Sequence, residues 1–174
     1  MSAGEIILSY RWTNQDYDLV IWGYSTQISV DSAFSTAQLI TLTSYKASSF
    51  TVMDTGGVDA SSGFGEPRCS TMPSLSSFGS FDIRVASAGT SGLTAGTRTL
   101  SNAILEETIP TGTVAKSVSK AGQHVFFVAN PVLLHANEGV VVKSMTDIVG
   151  GTIVPEFSID FDIVPTEISS RIYS

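Results

Sequence analysis

The side chains of this chain that could act as nucleophiles, bases or metal ligands are few and scattered. The two histidines, His124 and His135, lie eleven residues apart in separate segments, and Cys69 is the one cysteine. This spacing matches no zinc motif. Serines and carboxylates that could join a histidine in a hydrolytic triad are abundant, but there is no Gly-x-Ser-x-Gly elbow, and only geometry defines a triad. The sequence therefore predicts no catalytic residue, no metal site and no cofactor.

One short sequence motif is similar to a catalytic motif. Asp54-Thr55-Gly56 follows the apolar pair Val52-Met53 and resembles the aspartic-protease pattern, in which two aspartates share one proton and activate a water. Gly57 stands where that family carries Ala or Ser, and the chain has no second Asp-Thr-Gly. Motifs this short arise by chance. We therefore expect the protein not to be an enzyme.

Composition limits the classes of partner. The formal net charge is −7 and the nine Lys and Arg residues are spread along all 174 residues, so the surface repels a phosphate backbone and nucleic acid is an unfavourable partner. No run approaches the ~18 apolar residues of a membrane span, and no signal peptide opens the chain. We expect a protein made in a cytosol that stays soluble or leaves as part of something larger.

The elements that must position any site are strands. Glu156 to Ile163 alternates apolar with polar residues, the period of a strand with one wet face. Asp160 and Asp162 could hold a calcium ion with Glu156, but they more readily solvate the outer face and discourage edge pairing. Ser101 to Glu107 could form one or two helical turns. We predict one all-β domain over 1–174, an antiparallel β-sandwich of jelly-roll type with long Gly/Ser-rich loops and at most one short helix. Its predicted inward residues on the last strand are Phe157, Ile159, Phe161 and Ile163.

Two segments are candidates for contact with a partner. Residues 1–24, which form either the first strands or an extended arm, hold an aromatic group that is either a packed corner of the core or an interface. Residues 54–80 form a long loop that either contacts a partner or folds back to cap its own sandwich. The candidate contact residues are Trp12, Tyr17, Trp22 and Tyr24 in the first segment and Phe64, Met72, Leu75 and Phe78 in the second.

The C-terminal third resembles a known group of proteins. Pro131 to Val142, followed by a Gly loop and an alternating acidic strand, is similar to the ending of small β-sandwich virion proteins of tailed phages. Asn137 replaces the first Gly of their Gly-Glu-Gly turn, and Asn also tolerates positive φ. The resemblance implies a capsid decoration or cement protein, typically a homotrimer, bound to the major capsid protein on the outer surface of a head. The alternative is a carbohydrate- or receptor-binding module such as a tail-fibre or head-fibre tip.

Overall fold

The computed structural model describes residues 1–61, 81–86, 91–114, 118–119, 125–126 and 130–172. These ranges contain eleven strands and one short helix. The strands are β1 (Ile6–Trp12), β2 (Tyr17–Ser32), β3 (Leu39–Val52), β4 (Val58–Asp59), β5 (Phe81–Val85), β6 (Thr97–Pro110), β7 (Val118–Ser119), β8 (Val125–Phe126), β9 (Val132–Leu134), β10 (Glu138–Ser144) and β11 (Thr152–Pro165), and the helix is α1 (Thr166–Ile172).

The strands form two sheets in which all described pairings are antiparallel. Sheet 1 has the order β4-β5-β1-β10-β3-β6. In sheet 2 the long strand β2 pairs with β11 along one side and with β9, β8 and β7 in turn along the other. One cluster of buried apolar side chains, drawn from both sheets, forms the core. The predicted all-β sandwich is thereby confirmed, and the one described helix is short.

The pattern of burial follows each strand's place in its sheet. β1 lies between β5 and β10, and Ile6 to Tyr10 are buried without alternation, as in strands covered on both faces. β11 pairs only with β2 among the described strands and keeps the predicted alternation. Phe157, Ile159 and Phe161 pack against the core but are only half-buried, because a strand at the rim of a sheet is covered on fewer sides.

The N-terminal residues are strands and not an arm. β1 pairs with β10 over Ile6–Trp12 and with β5 over Leu8–Trp12. β2 begins at Tyr17, only five residues after β1 ends. The chain crosses from sheet 1 to sheet 2 in this short connection, so Trp12 and Tyr17 lie on either side of the crossing.

The structure replaces the possible helix at Ser101 to Glu107 with a strand and describes only the first part of the predicted loop at 54–80. The segment Ser101 to Glu107 is part of β6 and not a helix, since pairing along β3 outweighs the helix propensity of its Ala, Leu and Glu residues. The first part of the predicted loop contains β4, which pairs with β5. Four predicted contact residues of that loop lie outside the described residues: Phe64, Met72, Leu75 and Phe78. Cys69 and His124 also lie outside them.

The turn between β9 and β10 has the chemistry predicted for it. Asn137 adopts a φ of 61°, the left-handed conformation that Asn tolerates. At Gly139 a Cβ would lie 2.0 Å from the carbonyl oxygen of Tyr10, so only glycine allows β1 and β10 to approach here.

Candidate functional site

Asp54, the aspartate of the protease-like Asp-Thr-Gly motif, forms a buried ion pair with Arg98. It follows β3, and its side chain is fully buried. Its Oδ1 accepts hydrogen bonds from the guanidinium of Arg98 and, at 2.7 Å, from the backbone N–H of Gly96. Its Oδ2 has no hydrogen-bond partner among the described residues. The guanidinium also lies 4.9 Å above the ring centre of Phe50. This carboxylate neutralises a buried cation that joins β3 to β6, a structural role.

A second buried carboxylate lies on the outer face of sheet 2. The pairing of Leu19 with Leu134 places His135 beside Asp18, and the Nδ1 of His135 lies 3.0 Å from the Oδ1 of Asp18. The hydroxyls of Thr166 and Ser169 in α1 donate to the same carboxylate, Thr166 at 3.2 Å. We call Asp18, His135, Thr166 and Ser169 the Asp18 cluster.

The Asp18 cluster contains the residue types of a hydrolytic triad in the wrong order. In a triad the histidine stands between the serine and the aspartate. Here Asp18 stands in the centre, and the hydroxyl of Ser169 donates to the aspartate. The cluster therefore serves to anchor α1, whose one buried residue is Ser169. Sequence reasoning missed this site because Asp18, His135 and Ser169 are brought together only by strand pairing and by the position of the helix.

The predicted aromatic group is divided by the fold. Trp12 and Tyr24 are buried in the core, and the indole N–H of Trp12 donates to the carbonyl oxygen of Tyr17 at 2.7 Å. These two side chains have almost no exposed surface to offer a partner. Tyr17 and Trp22 are half-buried. Within this group, only Tyr17 and Trp22 have exposed surface with which to contact a partner, and that contact stays a prediction.

Trp22 lies at an irregularity of the β2–β11 ribbon. Gly23 pairs with Asp160 and Ile21 with Phe161, so Trp22 is the extra residue of a β-bulge, a device that redirects a side chain. Its indole N–H donates to the Oδ2 of Asp162 at 2.7 Å. Along the same ribbon Gln27 and Ser29 donate to Glu156. No local sequence signal predicts this bulge, because a bulge depends on the register between two distant strands. We call Trp22, Gln27, Ser29, Glu156, Asp160 and Asp162 the Trp22 face.

Burial sets the electrostatics of the sandwich interior. Desolvation raises the pKa of Tyr10 and Tyr24 far above their ordinary value. Glu107 pairs with Leu42, so it points toward the space between the sheets, and burial raises the pKa of its carboxyl. A charge that points inward on a rim strand such as β6 opposes pairing with another sheet.

Nine large apolar side chains in the described part of the chain are exposed, and five of them fall into two groups. Leu39, Met145 and Val149 lie near one end of the sandwich, and Ile168 and Ile172 lie on α1. Exposed apolar surface of this kind is typical of sites where proteins associate. No three His, Cys, Asp or Glu side chains in the described part of the chain are placed to hold a metal ion. Within that same part, no helix is long and apolar enough to cross a membrane.

The chain matches no protein-family model, no curated protein sequence and no solved structure in the comparisons made with each.

Proposed function

We propose that the protein is a virion structural protein of the capsid decoration or cement type, bound as a homotrimer to the major capsid protein on the outer surface of a tailed-phage head. The observation that carries the proposal is the strand order β1-β10-β3-β6 within sheet 1. Strands distant in sequence alternate there, as they do in one sheet of a jelly roll. β2 crosses to the other sheet between β1 and β3. Jelly rolls are frequent in virion proteins, so an analogy between folds supports this role.

Three further observations support the proposal. Exposed apolar side chains at two places give the protein surface on which to bind other chains. The two buried carboxylates described above are engaged in hydrogen bonds that hold strands and a helix together. The negative charge of the whole chain, −7, suits an external position better than the inside of a head packed with nucleic acid.

The test is to locate the protein in its particle. Electron cryomicroscopy of intact virions, with quantification of this chain relative to the major capsid protein, should show density on the outer head surface at many copies. Particles stripped of the chain should bind it again and become more resistant to heat. Absence from purified virions, or presence at a few copies on the tail, would contradict the proposal.

A carbohydrate-binding module is the second candidate, and the Trp22 face is the observation that favours it. An indole held in place by Asp162, with Asp160 paired to the neighbouring Gly23, offers a flat surface for a sugar ring and carboxylates that can accept hydrogen bonds from its hydroxyls. Titration with a glycan library, followed through tryptophan fluorescence, tests it. Trp22→Ala should abolish any binding, while Ser101→Ala, an exposed residue of β6 in the other sheet, should preserve it. If no glycan in the library binds, the carbohydrate-binding role is contradicted and the capsid-decoration role remains the proposal.

A further inference from the structure

Two groups of exposed apolar residues in the described part of the chain lie at opposite ends of β11. We call Leu39, Met145 and Val149 the apolar end, and Ile168 with Ile172 the helix stripe. Val149 immediately precedes β11 and α1 immediately follows it. A strand of 14 residues spans about 45 Å at ~3.3 Å per residue. The two surfaces therefore cannot cover each other within one molecule.

The helix stripe belongs to a helix that is polar on its inner side. The one buried residue of α1 is Ser169, which donates to the carboxylate of Asp18. Ile168 and Ile172 are 43% and 62% exposed, and their i, i+4 spacing puts them on one face. A helix that buries a serine and exposes two isoleucines is arranged to place its apolar face against another surface.

The apolar end is held together by hydrogen bonds between separate segments. The N–H of Met145 donates to the carbonyl oxygen of Thr41 at 2.7 Å, and Thr41 lies two residues from Leu39 on the same face of β3. The side chain of Gln38 bonds the backbone of Val149 through both its oxygen and its nitrogen. Leu39, Met145 and Val149 are 64%, 44% and 62% exposed. Five of the nine exposed large hydrophobic residues in the described part of the chain belong to these two surfaces, and the other four are Val52, Val58, Val114 and Val154.

Both surfaces carry one cationic and one anionic side chain. On the helix stripe, Glu167 precedes Ile168 and Arg171 precedes Ile172, with each charged residue one helical turn from the other. At the apolar end, the Nζ of Lys143 lies 5.9 Å from the ring centre of Tyr45, whose hydroxyl contacts Met145, and the exposed Asp147 accepts the N–H of Ala3. In the contact proposed below, Glu167 faces Lys143 and Arg171 faces Asp147. Such pairing fixes the register of a contact and excludes wrong orientations.

We propose that the helix stripe of one copy binds the apolar end of the next copy. The two patches differ, so the contact is head-to-tail, and repeated contacts build either a closed ring or an open chain. The surface involved is small, so the contact is weak in solution and is strengthened when several copies are held together. It concerns contact between copies only and is independent of whether the protein binds a capsid.

Sedimentation velocity of the purified chain over a rising concentration series tests the contact. The wild type should pass from its monomer mass of 18.4 kDa to larger species. Ile168→Asp and Leu39→Asp should each weaken association by about tenfold or more. Mixed in equal amounts, the two variants should form a one-to-one complex and nothing larger, because each keeps one intact surface. Val58→Asp, at an exposed residue of β4, should leave association unchanged.

The outcomes that overturn the proposal are distinct. A wild type that stays monomeric throughout the series contradicts it, and so does an associating wild type whose two variants remain monomeric when mixed. Leu39→Asp that associates by itself while Ile168→Asp does not would instead indicate helix against helix. Ile172→Asp and Val149→Asp repeat the experiment with an independent pair, and circular dichroism with unfolding midpoints checks that each variant is folded.

Discussion

The ion pair between Asp54 and Arg98 should be one of the most costly interactions to break in this protein. Their side chains are 0% and 5% exposed, so removal of one partner leaves the other charge buried and unpaired. Such a loss costs about 3–5 kcal/mol, which is a large part of the ~5–15 kcal/mol that stabilises a typical domain. Asp54→Ala also leaves the N–H of Gly96 without its acceptor. Arg98→Met keeps an unbranched apolar side chain at this position but removes both the charge and the contact of the guanidinium with the ring of Phe50.

A double-mutant cycle measures the pair itself. Urea unfolding of the wild type, Asp54→Ala, Arg98→Met and the double variant gives four free energies of unfolding. The double variant should lose much less than the sum of the single losses, because neither charge remains to be left unpaired. Single losses below about 1 kcal/mol, or losses that simply add, would show that the carboxylate and the guanidinium do not meet in a buried site and would refute the reasoning.

Three further predictions address the last strand, the helix and the inward-pointing carboxylate. Phe161→Ala should lower the free energy of unfolding by ~1.5–3 kcal/mol, less than for a fully buried Phe because β11 is covered on fewer sides, and Asp160→Asn by no more than about 0.5 kcal/mol; equal losses in urea unfolding would contradict the assignment of the two faces. Ser169→Ala should speed hydrogen exchange of the α1 amides while Ser170→Ala, at an exposed neighbour, should not; unchanged exchange in Ser169→Ala would show that the Asp18 cluster does not anchor the helix. Because burial raises the pKa of Glu107, the folded state binds its proton more readily than the unfolded state, so stability from this group is present at acid pH and is lost as the pH rises through the raised pKa. Glu107→Gln should therefore be more stable than the wild type near neutrality but not well below the ordinary pKa of 4.5, and a pH-independent difference in unfolding free energy would contradict this.

The sequence by itself determined the class of fold and the faces of its regular strands. Alternation over Glu156 to Ile163 predicted which side of β11 is wet, and the structure has Glu156, Ser158 and Asp160 exposed. The turn at Asn137 was readable because positive φ is a local property of a few residue types. The helix α1 also has a local signal, since Thr166 and Glu167 are residue types expected at a helix start and Arg171 is one expected at a helix end.

Only the tertiary structure decided which residues are interior, which are exposed and which meet. Ser101 to Glu107 has helix-forming residues, yet it is a strand because β3 offers it a long pairing partner. Trp12 and Trp22 are the same residue type in consecutive strands of the chain. Trp12 is buried in the core, whereas Trp22 lies at a bulge that depends on the register between β2 and β11. Asp18 and Ser169 are 151 residues apart. Local sequence patterns report on neighbours along the chain, whereas these contacts depend on strand order and register, which are set by the packing of the whole sandwich.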